Sequence, residues 1–181
     1  EVGYIVLAQT SVPRTAELAG RIVPYATAEV RPQVDGIVRE ISFEETRAVE
    51  SGDVLYRVDD RKFQAALAAA AAAVRKAEAA TTAAQLDYDR TEQLVASNST
   101  SASALDEARS VLLQAQADQA SAKADLDVAQ LNLDNASITA PIAGIVGVST
   151  VSVGALVTAN QADPLVTIRQ LDPIYVDLVD S

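Results

Sequence analysis

Hydrophobic and polar residues follow two different periods along this chain, and the change of period divides it into parts. Residues 27–61 and 137–171 contain short runs rich in Val and Ile, separated by Gly, Pro and Asp, which is typical of short β-strands joined by turns. Residues 62–136 contain no Gly or Pro and are rich in Ala, Gln, Asp and Leu with some Glu, which are strong or tolerable helix formers. The pattern therefore predicts an elongated α+β protein in which a helical segment interrupts a β-domain.

An internal repeat links the two β-rich parts. The stretch "RPQVDGIV" at 31–38 aligns with "TAPIAGIV" at 139–146. Two or three short strands are marginally stable in water, so we expect the two parts to fold together as halves of one split β-sandwich. Four glycines are predicted to supply turn positions with positive φ: Gly36, Gly52, Gly144 and Gly154.

The helical segment carries apolar and small residues at alternating spacings of four and three. One such seam runs from Phe63 to Val95 and a second from Leu105 to Ala136, with the polar break "SNSTSAS" between them. Heptads sustained over this length predict a coiled coil. A single continuous helix, or two helices packed back on the sandwich, is the alternative. The break and the equal arms favour an antiparallel hairpin over 62–136, about 50 Å long, with its tip at about 96–103.

The two ends of the chain form a further β-rich part. Residues 1–26 and 172–181 contain strand-like runs. We expect them to pair in one further β-domain, and the run that stops at Ser181 to continue beyond it. Any membrane anchor is expected before Glu1.

Composition removes most catalytic and nucleic-acid functions. The chain has no His, Cys, Met or Trp, so it lacks an imidazole base, a thiolate and soft metal ligands. The acidic pairs Asp59–Asp60 and Glu44–Glu45 are interpreted as solvated turns. A net charge of −11 argues against a nucleic-acid partner. We therefore predict no enzyme activity, no catalytic residue, no cofactor and no metal site.

The order of these blocks is similar to that of a known family. It is carried by "AEVRPQVDGIV" (28–38), "SGDVLYRVD" (51–59), "ITAPIAGIVG" (138–147), "GALVTANQ" (154–161) and "LDPIYVD" (171–177). The chain resembles the periplasmic adaptors, or membrane fusion proteins, of resistance–nodulation–division (RND) multidrug efflux pumps, within the HlyD-like superfamily. The resemblance implies a lipoyl-like sandwich, and a partial β-barrel domain formed by the two ends.

The polar break becomes the most specific feature under this resemblance. The family's hairpin tip carries Arg, then Leu four residues on, then Ser seven residues later, and Arg90, Leu94 and Ser101 have this spacing. In the family these residues dock on a TolC-type outer-membrane channel. Arg90 and Leu94 stand one helical turn apart, Leu94 lies one residue off the seam position Val95, and Ser101 is suited to cap the second helix.

The resemblance also implies partners and a location. It implies a non-enzymatic adaptor between an inner-membrane RND transporter and the outer-membrane channel, self-associated into a ring, a hexamer by resemblance. The location implied is the periplasm of a Gram-negative bacterium, with an inner-membrane anchor outside this chain. One departure is Thr46, which stands where the family usually has Gly, so we expect that turn to be built differently.

Two other functions were compared with this one. A lipoyl or biotinyl carrier needs a Lys on a tight hairpin between the halves, but Lys62, Lys76 and Lys123 all lie in the helical segment, so no lipoylation site is predicted. Adaptors of ABC-type and heavy-metal exporters share the architecture and stay open. The absence of His and Met, and the stretch "LDPIYVDL", favour the multidrug branch.

Overall fold

The computed structural model describes residues 2–5 and 19–179, and the described part consists of eight strands and two long helices. Half of the segment 1–26, residues 6–18, lies outside the described residues, as do Glu1 and 180–181. The elements in chain order are β1 Ala19–Val30, β2 Gly36–Ile41, β3 Ala48–Val49, β4 Val54–Val58, α1 Arg61–Ala96, α2 Ala102–Asp134, β5 Ser137–Thr139, β6 Gly144–Val146, β7 Leu156–Val157 and β8 Val166–Val179.

The strands form two four-stranded sheets in the described part, with orders β1-β8-β6-β3 and β5-β4-β2-β7. Each sheet takes two strands from before the helices and two from after them, so the two halves of the chain form one β-structure, as the repeat predicted. The core between them is apolar. Its most deeply buried large side chains are Tyr56, Leu55, Leu165, Ile168, Val38, Val146, Val157 and Val166. Burying each aliphatic one stabilises the fold by about 1.5–3 kcal/mol.

Strands β1 and β8 form a long antiparallel ribbon that extends beyond this core. Its register runs from Ala19↔Val179 to Val30↔Val166, with a shift between Pro24 and Ala26. The shift falls beside the expected boundary at 26/27, yet both strands continue through it. On the far side of the shift the ribbon exposes large apolar side chains, among them Ile22, Ile174, Tyr175, Val176 and Leu178.

Helices α1 and α2 have 36 and 33 residues and lie side by side. Every position of the two predicted seams is buried or half-buried, while the residues between them are mostly exposed. Thr81 Oγ1 donates to the Ala115 carbonyl at 3.0 Å, and Gln119 Nε2 to Glu78 Oε1 at 3.5 Å, so the helices are antiparallel. At 1.5 Å per residue α1 alone is about 54 Å long.

The four glycines divide into two kinds, and the prediction for two of them was wrong. Gly52 and Gly154 have φ of 97° and 93° in turns. Gly36 and Gly144 instead begin β2 and β6, without positive φ. They are needed for close approach: a Cβ at Gly144 would lie 2.5 Å from the Arg169 carbonyl oxygen, and one at Gly36 would overlap the Val58 side chain.

Thr46, in the turn before β3, has the left-handed backbone conformation that glycine favours, with φ of 63°. Its amide donates to the Val146 carbonyl at 3.0 Å, which ties the turn to β6. The sandwich contact therefore holds a β-branched residue in a conformation that it rarely adopts.

Candidate functional site at the tip of the helix pair

Five residues, 97–101, connect the two helices at the end opposite to the sheets. Asn98 has φ of 56°, in the left-handed region. Its amide donates to the Val95 carbonyl at 2.9 Å, and the Ser99 amide to the Leu94 carbonyl at 2.8 Å. These two bonds form a Schellman motif, which satisfies the carbonyls that a helix end leaves free. The tip is therefore a closed turn with defined geometry.

Ser101 caps the second helix. Its backbone is extended, with φ of −87° and ψ of 155°, and its side-chain oxygen accepts a hydrogen bond from the Ala104 amide at 3.3 Å. This is the geometry of an N-cap, which contributes about 1 kcal/mol to a helix. The sequence prediction of a cap at Ser101 is confirmed.

Arg90 and Leu94 lie on the last two turns of α1, and both side chains are exposed. Leu94 is 42% exposed, whereas its neighbour Val95 is half-buried in the seam. Arg90 Nη1 lies 3.5 Å from Asp87 Oδ1, a weak surface pair between side chains 71% and 65% exposed. No hydrogen bond in the described residues joins any two of Arg90, Leu94 and Ser101. All three lie on the outer part of the helix pair, exposed and not bonded to one another.

The tip differs electrostatically from the rest of the chain. No charged residue occurs from Gln93 to Leu105, although the chain as a whole has a net charge of −11. The exposed groups there include hydroxyls, the amides of Gln93 and Asn98, and Leu94. Such a surface fits a partner through hydrogen bonds and apolar contact, and Arg90 supplies the nearest positive charge.

The base of the helix pair is fixed by a cluster that the sequence reasoning missed. Asp59, just before α1, accepts hydrogen bonds from Arg61 Nη2 at 2.6 Å and from Arg39 Nη2 on β2 at 2.8 Å. These bonds, Arg61's first, hold the pKa of the Asp59 carboxyl well below its usual range. Asp59 is only 18% exposed, so it is not a solvated turn residue. Nearby, Lys62 Nζ donates to the Asp35 carbonyl at 2.5 Å.

A second polar link joins the two halves inside the sandwich. The Tyr56 hydroxyl donates to the Leu165 carbonyl at 3.0 Å and lies 2.8 Å from Ser149 Oγ. The Ser149 amide in turn donates to Glu45 Oε1 at 3.0 Å. Burial raises the pKa of the Tyr56 hydroxyl, and the Ser149 hydrogen bond offsets part of that rise. Tyr56 and Glu45 precede the helices and their partners follow them, so the link ties the halves together.

The described part of the chain has no grouping suited to a metal ion and no helix suited to a membrane. Within 2–5 and 19–179, no three or more His, Cys, Asp or Glu side chains are grouped so that they could hold a metal ion. Neither long helix of the described part combines the length and apolar character needed to span a bilayer.

A comparison with protein families shows which family has this arrangement. The family model described as "RND MFP, barrel-sandwich hybrid domain" matches residues 26–169, which include both halves of the β-structure and the helix pair. The chain belongs to the RND membrane fusion protein family. In this membrane fusion protein, the barrel-sandwich description agrees with the two sheets formed by strands from both halves of the chain.

Individual relatives agree with the family match. Multidrug resistance protein MdtE of Escherichia coli strain K12 is 46% identical over 181 residues, 100% of this chain and 47% of that protein. Multidrug efflux pump subunit AcrA of the same strain is 40% identical over 180 residues, 99% of this chain and 45% of that protein. The chain spans about half the length of these curated relatives.

A solved structure shares the arrangement. The MacA-MexA chimeric protein, which contains the Pseudomonas aeruginosa MexA α-hairpin domain, superposes with a TM-score of 0.51 at 28% identity. The match covers 83% of this chain and 50% of the chimera.

Proposed function

We propose that this membrane fusion protein is a non-enzymatic periplasmic adaptor that links an inner-membrane RND transporter to a TolC-type outer-membrane channel in drug export. The observation that carries the proposal is the position of Arg90, Leu94 and Ser101. All three are exposed at the outer end of a helix pair, in a chain that is 46% identical to a multidrug resistance protein. Because the chain has no His or Cys, its side-chain chemistry supports binding rather than catalysis.

The helix pair acts in this proposal as a rigid antiparallel coiled-coil hairpin. Alanines at seam positions such as Ala84 and Ala108 are buried and let the helices approach closely. The base is held by the two arginine bonds to Asp59. The rigid helix pair, about 54 Å long, fixes where the tip lies relative to the sheets.

Docking at the tip follows from the chemistry of its three residues. Leu94 offers an apolar side chain whose burial by a partner stabilises a complex by about 1–2 kcal/mol. Arg90 presents a forked donor for carbonyls or carboxylates of a partner helix. Ser101 is already committed to its cap, so its part is a small contact surface at which a bulky side chain would collide.

The domain assignment follows the same proposal. Residues 27–61 and 137–171 are the two halves of the lipoyl-like sandwich, and 62–136 is the hairpin. Residues 1–26 and 172–181 belong to a β-barrel domain. The exposed apolar side chains of the β1–β8 ribbon support this, because a two-stranded ribbon of that character is stable only when other strands or a partner cover it.

Self-association into a ring is part of the proposal and is supported by an uneven distribution of charge. The stretch of α1 over 61–77 carries four cations and no acid, whereas α2 over 118–134 carries four Asp and one Lys. Arg75 and Lys76 make no salt bridge within the described residues and are exposed. On α2, the exposed Val128 and Leu131 lie among the Asp residues.

The basic face of α1 and the acidic face of α2 are complementary in charge to each other, whereas neither is complementary to the same face of a second copy. We infer that the basic face of α1 in one copy lies against the acidic face of α2 that carries Asp118 and Asp125 in the next. A contact between two different faces is heterologous and closes into a ring when the rotation allows. The ring size, a hexamer, comes from the family resemblance.

The location and the pump belong to the proposal as well. We place the protein in the periplasm of a Gram-negative bacterium, anchored to the inner membrane by a segment outside this chain. An ABC-type or heavy-metal exporter is the alternative pump. The RND family match supports the multidrug branch.

Two tip substitutions test the proposed docking. Leu94→Asp removes the apolar contact and Ser101→Arg adds bulk, and both are expected to abolish efflux-dependent resistance in cells that express the protein from its native gene. Circular dichroism of the purified variants should still show folded helices, because both side chains are exposed.

Matched controls separate docking from damage to the helices. Leu86→Asp changes another exposed leucine of α1 two turns below, 59% exposed against 42% for Leu94, and Ser101→Ala removes the cap without adding bulk. Both are expected to keep resistance. Full resistance in Leu94→Asp and in Ser101→Arg would contradict docking through this tip.

A further inference from the structure

The left-handed residue at the tip is not one of the three docking residues, yet it determines how they are presented. Asn98 is one of three non-glycine residues with positive φ in the described part, and the only one at the tip. Among residues with a side chain, Asn is one of those that adopt this conformation most readily, because its short polar side chain can hydrogen-bond to the local backbone. The left-handed conformation of Asn98 is therefore a feature of the turn that joins the two helices.

The consequences of this conformation reach Leu94 directly. With Asn98 left-handed, the chain folds back so that the Ser99 amide meets the Leu94 carbonyl at 2.8 Å. The same carbonyl accepts from Ser97 Oγ at 3.0 Å. Two donors thus bind the backbone carbonyl of Leu94, whose side chain is the exposed apolar contact. The last turn of α1 cannot fray without breaking both bonds.

The turn also sets where the second helix begins. Only Ser99 and Thr100 separate Asn98 from Ser101, whose extended backbone starts α2. Because this connection is so short, the φ of Asn98 determines the direction that the chain takes after α1. We propose that Asn98 is a positioning residue of the tip, whose left-handed backbone holds Leu94 and Ser101 in the relative placement that a channel partner recognises. This inference rests on the proposed docking function.

The side chain of Asn98 and its backbone conformation can be separated by substitution. Asn98→Gly removes the side chain and keeps the left-handed conformation accessible. Asn98→Val disfavours that conformation because of its β-branched side chain. A positioning role predicts that Gly replaces Asn and that Val does not.

The test combines a physical readout of the turn with a functional one. Amide hydrogen exchange at Ser99, measured on the purified protein by NMR, reports the bond to the Leu94 carbonyl. Asn98→Val is expected to lower Ser99 protection by about tenfold and to reduce efflux-dependent resistance in cells, whereas Asn98→Gly keeps both. Exchange in the middle of the helices, at Ala84 and Leu112, should be unchanged in both variants.

Three results would overturn the inference. Resistance that survives in Asn98→Val despite lost Ser99 protection would show that the turn does not position the contacts. Resistance lost equally in Asn98→Gly would assign the effect to the side chain. Unchanged Ser99 protection in Asn98→Val would show that this residue does not determine the turn. Failure of the docking proposal is recognised separately, by full resistance in Leu94→Asp, while the exchange readout does not depend on any partner.

Discussion

Thr46 provides a direct test of backbone strain at a single residue. Its φ of 63° costs a β-branched residue about 1–3 kcal/mol, while glycine adopts the conformation freely. Thr46→Gly is therefore expected to raise the free energy of unfolding by about 1 kcal/mol, after the entropy that glycine loses on folding is subtracted. Urea unfolding at neutral pH measures the change.

The control for this prediction is a threonine in ordinary strand geometry. Thr27 in β1 is exposed and has no positive φ, so Thr27→Gly should lower the free energy of unfolding. A loss of stability in Thr46→Gly as large as that in Thr27→Gly would contradict the strain.

Asp59 makes the free energy of unfolding depend on pH. Because Arg61 and Arg39 lower its pKa in the folded state, its stabilisation is present above the ordinary carboxyl pKa and is lost as the pH falls through the lowered value. Asp59→Asn should therefore be less stable than the wild type at pH 7. The difference should shrink as the pH falls below about 4, as followed by urea unfolding at several pH values.

A carboxylate without an ion pair serves as the reference. Asp125 is exposed on α2 and has no salt bridge in the described residues, so Asp125→Asn should have nearly the same stability as the wild type at every pH. An Asp59→Asn difference that stayed constant down to pH 2 would exclude the proposed ionic contribution.

Single residues also show what sequence reasoning could not resolve. Gly36 and Gly144 are indistinguishable in sequence from Gly52 and Gly154, since all four stand beside strand-like runs. The first two are required because another strand passes close to them, and that contact exists only in the folded sheet. The repeat did place Gly36 and Gly144 in equivalent positions, at the starts of β2 and β6.

At the scale of elements, the helices were the most predictable part. Their period, the absence of Gly and Pro and the polar break gave the two seams and a helix boundary at Ser101, because these signals are local. The short strands were harder. β3 and β7 have two residues each, and their pairing with β6 and β2 depends on the whole sandwich.

The charged faces of the helices predict a specific pattern of assembly. Arg75→Glu with Lys76→Glu makes both outer faces acidic, and Asp118→Lys with Asp125→Lys, two residues seven positions apart on one side of α2, makes the α2 face basic. Each double variant alone should lose cross-linked oligomers in cells by about tenfold or more, because like charges then meet at every contact. Co-expression of the two variants should restore the oligomers, since each reversed face then meets an opposite one.

This rescue distinguishes a contact between different faces from one between identical faces. A double variant that forms oligomers like the wild type, or a mixture that stays as defective as its components, would contradict the α1-to-α2 arrangement. Lys123→Glu with Glu78→Lys exchanges a pair already inside the helix pair, 4.0 Å apart, and should leave assembly unchanged.

At the scale of the whole molecule, the described part divides into a β-structure and a long projection with an uncharged end. The order of the blocks was readable from the sequence because the repeat and the insertion use different periods. The exact ends of the sandwich were not, because β1 and β8 run on as one ribbon. In the proposed function, the sheets and the tip contact different partners, separated by the length of α1.

The central claim is that the tip meets an outer-membrane channel, and site-specific photo-cross-linking in cells tests it most directly. A photoreactive amino acid at position 94 should yield a product that mass spectrometry identifies as a TolC-type channel. The same group at position 86, which is more exposed on α1, should give little of it. Channel cross-links of equal yield at both positions, or none at position 94 in cells that export normally, would contradict docking through this tip.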